Sequence, residues 1–289
     1  MSAGGVVDFR VQPPYGSFLD MHFFRDLRAD TSLDARLPFG TDRAPNPSKE
    51  QGSLDLFLAE MDEAGIAHAV IVGQRSADKW GLVSNDDISF LVNAYPLLFT
   101  GFAGIDPSDG DAPDQVSRAV EDLGLRGVAL LPGWNEPPLG DDDPAVMRVY
   151  ERCVQHGVPV IVTASHYIGG DMNHAHPVHP QHVVDALPDL PLIIGHGCWP
   201  WTTAATALAM RYPNVYLMPE FYMYTPDMPG AVDYVSAANS FLKERTLYSS
   251  CYPSRTLKEA SELFMALPLS ADAQHHAMRL NGRRLLGLD

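Results

Sequence analysis

Short apolar runs alternate with longer amphipathic patterns from one end of the chain to the other, and that alternation leaves few folds open. Strands are predicted at about 5–11, 68–73, 99–106, 127–133, 159–165, 191–197, 214–221 and 246–252. Helices are predicted at about 51–64, 84–95, 112–123, 144–156, 180–187, 201–211, 229–242 and 255–266, with a last one at about 271–286. Gly65, Gly124 and Gly157 each close a helical pattern just before a strand, where a left-handed cap is wanted. Asp141-Asp142-Asp143-Pro144 and Ser270-Ala271-Asp272 read as helix starts. The runs 158–162 and 190–194 are nearly all apolar, as in parallel strands covered on both faces. Eight β-then-α units predict an α/β fold, a parallel (β/α)8 TIM barrel, as one domain over residues 1–289 with an extra C-terminal helix.

One connection departs from the rhythm. Residues 12–50 form a long segment rich in Pro, Gly, Asp and Arg, expected to be a lid or subunit contact. Its cluster of Phe18, His22, Phe23 and Phe24 favours a short helix packed over the barrel mouth.

Charge narrows the partners. A net charge of −16 repels phosphate backbones and anionic membrane surfaces, so neither nucleic acid nor membrane is an expected partner. No stretch reaches the length of a spanning helix, and the first residues carry no signal-peptide pattern. Cys153, Cys198 and Cys251 show no paired spacing and read as thiols of a reducing cytoplasm.

Several passages in order carry a family pattern. They are Ser84-Asn85-Asp86-Asp87 with Tyr95-Pro96 and Phe99-Thr100-Gly101-Phe102-Ala103, then Gly124-Leu125-Arg126-Gly127-Val128, then Leu190-Pro191 through Ile194-Gly195-His196-Gly197. Tyr212-Pro213-Asn214-Val215-Tyr216, Leu247-Tyr248-Ser249-Ser250-Cys251-Tyr252-Pro253 and Asn281-Gly282-Arg283-Arg284-Leu285-Leu286-Gly287 complete the set. Together they resemble the amidohydrolase-related family, whose members are similar to aminocarboxymuconate-semialdehyde decarboxylase. The resemblance spans nearly the whole chain and implies the same barrel.

It also implies where a divalent metal would be held. The first-strand pair of histidines falls on Arg10 and Gln12, the fifth-strand histidine on Thr163, and the eighth-strand aspartate on Cys251, while the sixth-strand histidine is kept as His196. Arg10 stays protonated and puts a fixed positive charge where the metal would sit. No metal or other cofactor is therefore expected. The alternative is a relocated site on His174, His176, His179 and His182, or one that joins His196 to Cys251.

Residues just past the strand ends face the mouth of such a barrel, and Arg10, His166, His196, Cys198, Glu220 and Cys251 map there. Three are candidate catalytic residues. Arg10 either anchors a carboxylate or developing anion, or forms a structural ion pair with Asp8 or Glu220. His196 is the expected proton carrier, the alternative being a histidine bonded into the wall. Cys251 is either a thiolate nucleophile or a small buried hydrophobe. His166, Trp134, Trp199, Glu220, Tyr222 and Tyr252 are the candidate substrate-binding residues, the aromatics suiting a flat ligand.

These features predict a metal-independent hydrolase or lyase. It would decarboxylate, open an ester or lactone, or cyclise or dehydrate through an enolate, on a carboxylated aromatic or polyketide-like molecule. The competing reading is a catalytically silent subunit or small-molecule-binding protein that partners a metal-bearing paralogue. The expected assembly is a homodimer, or a hetero-oligomer with such a paralogue.

Overall fold

The computed structural model describes residues 5–25, 45–166 and 169–288. Seven parallel strands pair in chain order: β1 (Val6–Val11), β2 (Ile66–Val72), β3 (Phe99–Gly104), β4 (Gly127–Leu130), β5 (Val160–Thr163), β6 (Leu192–Gly195) and β7 (Val215–Met218). The helices that cross between them are α3 (Leu54–Glu63), α4 (Asn85–Ala94), α5 (Ala112–Glu121), α6 (Pro144–His156), α7 (Val178–Ala186) and α8 (Thr202–Arg211). Before α3 come α1 (His22–Arg25) and α2 (Pro47–Gln51). After β7 follow α9 (Phe221–Tyr224), α10 (Ala231–Ala238), α11 (Leu257–Met265), α12 (Ala271–His275) and α13 (Asn281–Leu286).

The ends of these helices are chemically set. Ser53 accepts from Leu56 N at 3.3 Å, Asp143 from Ala145 N at 2.8 Å and Ser270 from Ala273 N at 3.1 Å, each holding an otherwise unpaired N–H. The last predicted helix is interrupted, because a π-helical stretch at His276–Leu280 separates α12 from α13.

Alternate strand residues build two layers. Val7, Phe9, Val70, Val72, Phe102, Ala129, Ile161, Ile193, Met218 and Leu247 fill the lumen, closed at one end by Leu286. Their neighbours, among them Ala69, Ile71, Val128, Val160, Val162, Leu192 and Ile194, pack outward against the helices. Each such side chain contributes roughly 1.5–3 kcal/mol when fully buried. A one-residue slip would exchange the layers, so the register is tightly specified.

The eighth segment closes the barrel without becoming a regular strand. Single bridges join Thr246 to Leu217 and Tyr252 to Val11, and Phe9 N donates to Tyr248 O at 3.0 Å. Between the bridges, Leu247 N and Tyr248 N donate to backbone carbonyls, and side chains take the donors that follow at Ser250 to Tyr252. Ser250 N donates to Asp8 Oδ1 at 3.0 Å, Cys251 N to Ser249 Oγ at 3.2 Å and Tyr252 N to Ser250 Oγ at 3.1 Å. The strand expected at about 246–252 is replaced by this bonded bend because short polar side chains outcompete the ladder locally.

Within the segment expected to carry a short helix, α1 forms at His22–Arg25 and buries Phe24. The part of the 12–50 segment from 26 to 44 lies outside the described residues. At its far side α2 is tied down by Ser48. That hydroxyl meets Tyr252 OH at 2.7 Å and Glu60 Oε2 at 2.5 Å. Among the described residues no helix is long and apolar enough to cross a membrane.

Candidate active site and cation-binding group

The lumen pattern continues upward by steps of two. Thr163, Gly195, Glu220 and Ser249 stand two positions beyond Ile161, Ile193, Met218 and Leu247, and so form the next layer toward the strand ends. Arg10 enters this layer from β1, where the register shifts between Asp8 and Val11. Its Nη1 donates to Glu220 Oε1 at 3.4 Å and to Thr163 Oγ1 at 3.3 Å. Gly195 leaves room for the guanidinium: a β carbon there would lie 3.1 Å from Nη1.

The other oxygen of Glu220, Oε2, pairs with His196 Nδ1. Ser249 Oγ also reaches Glu220 Oε1, at 3.5 Å. Burial alone would push the Glu220 carboxyl up. The charges of His196 and Arg10, with hydrogen bonds from His196 and Cys251, outweigh it and hold the group below the usual carboxylate range. Burial, and then Glu220, push the Cys251 thiol well up. The nearby Asp8 carboxyl accepts from Arg10 N and Ser250 N, and burial raises it to about 7.

Backbone conformation presents these groups. His196, Gly197 and Cys198 are three successive left-handed residues, each with φ 62°. The turn is buttressed by Tyr234 OH donating to Gly197 O at 2.8 Å. Glu220 and Cys251 are also left-handed, at φ 56° and 57°. Such conformations cost on the order of 1–3 kcal/mol each for residues with a side chain, and persist only where the surroundings over-determine them.

An aromatic wall adjoins the group. Trp199 and Tyr222 stack at 5.0 Å and 8°, and His196 meets Tyr222 edge-on at 5.6 Å. His166 tilts over Trp199 at 4.7 Å and brings Nδ1 to 3.4 Å from Tyr222 OH, which also meets Ser165 Oγ at 3.0 Å. Burial, and next the charge of His196, lower the His166 pKa.

Of the residues named from sequence, the fold thus joins Arg10, His196, Cys251 and Glu220, with Tyr222, Trp199 and His166 beside them. Arg10 makes the ion pair foreseen with Glu220, while Asp8 binds its backbone N–H and not its guanidinium. Two candidates lie elsewhere. Tyr252 points into the outer layer, against Phe57 at 4.8 Å and Ser48. Trp134 stacks on Trp80 at 4.6 Å in a cluster with His22 and Phe23. Thr163 and Ser249 were missed as contributors, although the two-residue lumen period points to both.

The absence of a cofactor, expected from sequence, is corrected. Ligand atoms of His196, Glu220 and Cys251 lie within 4.8 Å of one another, and among the described residues no other group of three such side chains is so placed. The fold delivers Glu220 from the end of β7 to the two residues that the family pattern had left apart. The histidines of the 174–182 segment take other partners. His179 and His182 share Asp142, at 2.8 and 2.6 Å, and His176 packs on Trp201 at 5.2 Å.

Comparison with known proteins agrees with this architecture. The amidohydrolase family model matches residues 8–288, and the chain belongs to that family. A TIM-barrel protein of Bordetella bronchiseptica is 36% identical with a TM-score of 0.90, the match covering 98% of each chain. The 2,6-dihydroxybenzoate decarboxylase of Rhizobium superposes with a TM-score of 0.70 at 18% identity, over 99% of both chains. The 5-carboxyvanillate decarboxylase of Novosphingobium aromaticivorans, solved with manganese and a hydroxy-methoxy-nitrobenzoic acid, gives a TM-score of 0.68 at 14% identity, over 99% of this chain and 97% of its own. No curated protein matches the chain.

Proposed function

We propose that the protein is a lyase that decarboxylates a hydroxylated aromatic acid at the barrel mouth. The observation that carries this reading is the buried His196–Glu220–Cys251 group, wired to Arg10 and set beside the Trp199–Tyr222 stack. Membership of the amidohydrolase family, and the likeness of the fold to two aromatic-acid decarboxylases, support it.

His196, Glu220 and Cys251 fit a divalent cation in donor type, one nitrogen, one oxygen and one sulfur. Such a cation would act as a Lewis acid toward the substrate's oxygens. With His196 committed to Glu220 and to that role, the proton carrier passes to His166. Its Nδ1 faces Tyr222 OH, and its ring tilts over Trp199 beside the group. The aromatic ring lies against Trp199 and Tyr222. As the carbon–carboxylate bond breaks, its electron pair stays on the ring carbon and carbon dioxide leaves. The His166 imidazole then gives that carbon a proton, which water restores. Arg10 holds Glu220 ionised and offsets the negative charge that gathers above it.

The test is a panel of hydroxylated benzoic acids given to the purified protein, as isolated and after loading with zinc or manganese, with carbon dioxide release as the readout. At least one acid should be consumed. His166→Ala should lower kcat about 10²–10⁴-fold while retaining the cation. Failure to consume any member, against turnover of a lactone or ester panel, would move the reading to a hydrolase.

A further inference from the structure

We infer that the His196–Glu220–Cys251 group selects a thiophilic divalent cation, zinc or cobalt, over manganese, and that Cys251 is the residue that sets the choice. The inference deepens the proposed reading of the mouth as a catalytic site and rests on it.

The donors themselves argue for it. Manganese favours a shell of carboxylate, carbonyl and water oxygens, whereas a thiolate favours zinc-like cations. Only one carboxylate, Glu220, belongs to the group. Its Oε1 is already engaged by Arg10 at 3.4 Å and by Ser249 at 3.5 Å. A further carboxyl, Asp8, spends Oδ1 on the backbone N–H groups of Arg10 and Ser250 and lies outside the group of three. The site is thus poor in hard oxygen donors. Arg10 adds a fixed positive charge beside it, which opposes every cation alike. The affinity that overcomes this repulsion has to come from the more covalent bond, that to sulfur. As Cys251 binds, its sulfur gives up a proton to solvent and becomes the thiolate ligand.

Position supports the chemistry. His196, Glu220 and Cys251 are 8%, 2% and 7% exposed, so a bound cation would be shielded from competing water. All three stand on left-handed backbone, which fixes their directions independently of any ligand.

The experiment uses the full chain stripped with chelator. Cobalt is titrated in while the near-ultraviolet thiolate-to-cobalt charge-transfer band is followed. Zinc and manganese then compete in equilibrium dialysis with elemental analysis. The same is done for Cys251→Asp and Cys251→Ser. Aspartate tolerates the left-handed conformation at this position, and serine nearly matches cysteine in size. Circular dichroism checks both folds. Zinc outranks manganese at almost any such site, so the informative quantity is the change in that preference.

The wild type should show the band and both variants should lack it. In Cys251→Asp the zinc-to-manganese ratio of association constants should fall by about tenfold or more. Cobalt bound without the band, an unchanged ratio in Cys251→Asp, or no cation retained by the wild type would each overturn the inference. The wild-type spectrum keeps the test decisive should a variant fail to fold. An aromatic acid consumed while the wild type retains no cation would sink the cation choice and leave the lyase reading standing. A cation held with the band, but no acid consumed, would do the reverse.

Discussion

Gly195 and Arg10 share one volume: the place of a β carbon on Gly195 is 3.1 Å from Arg10 Nη1. The guanidinium therefore lies in a slot that the sixth strand leaves open. Gly195→Ala should tilt Arg10 away from Glu220 and Thr163 at a cost of about 1–3 kcal/mol, the usual range for overpacking. Chemical denaturation measures that cost. A midpoint equal to wild type would show that the slot is not filled.

Arg10 and Glu220 make a buried pair, with side chains 7% and 0% exposed. Removing one partner strands the other. Arg10→Ala should destabilise by about 3–5 kcal/mol, whereas Arg10→Ala combined with Glu220→Gln should lose less than the two single changes added together. Urea unfolding of all four proteins closes the cycle. Additive losses would mean that the pair does not couple.

Asp141 is buried, and burial followed by the charge of Asp142 raises its carboxyl to about 8, against 3.8 ordinarily. A raised carboxyl binds its proton more tightly folded than unfolded. Its contribution is therefore complete below about pH 4 and is lost as pH climbs through about 8. Asp8, raised to about 7 by burial, acts in the same direction. Asp141→Asn should flatten the fall in unfolding midpoint between about pH 5 and 9. An unaltered slope would contradict the assignment.

Ser48 is buried and joins α2 to Tyr252 and to Glu60 on α3. Ser48→Ala leaves the buried Tyr252 hydroxyl without this partner and takes one of two bonds from half-buried Glu60, so a loss of about 1–3 kcal/mol is expected. Limited proteolysis should also cut sooner near α2. Equal digestion rates would show that the anchor lies elsewhere.

The barrel was legible because its staves are apolar runs: Val160–Thr163 and Leu192–Gly195 announce themselves without help. Cys251 and its neighbours were harder. A segment rich in serine and ended by proline still reads as a strand when aromatic residues flank it, and only the fold reveals that Asp8, Ser249 and Ser250 have taken its N–H groups. Arg10, His196 and Cys251 could be named in advance because each ends a stave. Glu220 could be named too, but not its central place. That place depends on three segments far apart in sequence meeting within a few ångströms, a distance that no spacing along the chain encodes. The expectation of a metal-free site failed for the same reason, since it compared positions one at a time against a pattern.

The bend at 246–252 also makes the barrel uneven around its circumference. Between β2 and β6 each neighbour is held by a continuous ladder, while the seam between β7 and β1 is stitched by isolated bridges and side-chain bonds. Amide exchange should accordingly be fastest along that seam and slowest in the middle staves. Cys251 sits in the stitching and Glu220 at its edge, so a ligand spanning both would act as a clasp. Occupancy of the mouth and closure of the barrel would then be read out by the same protected amides.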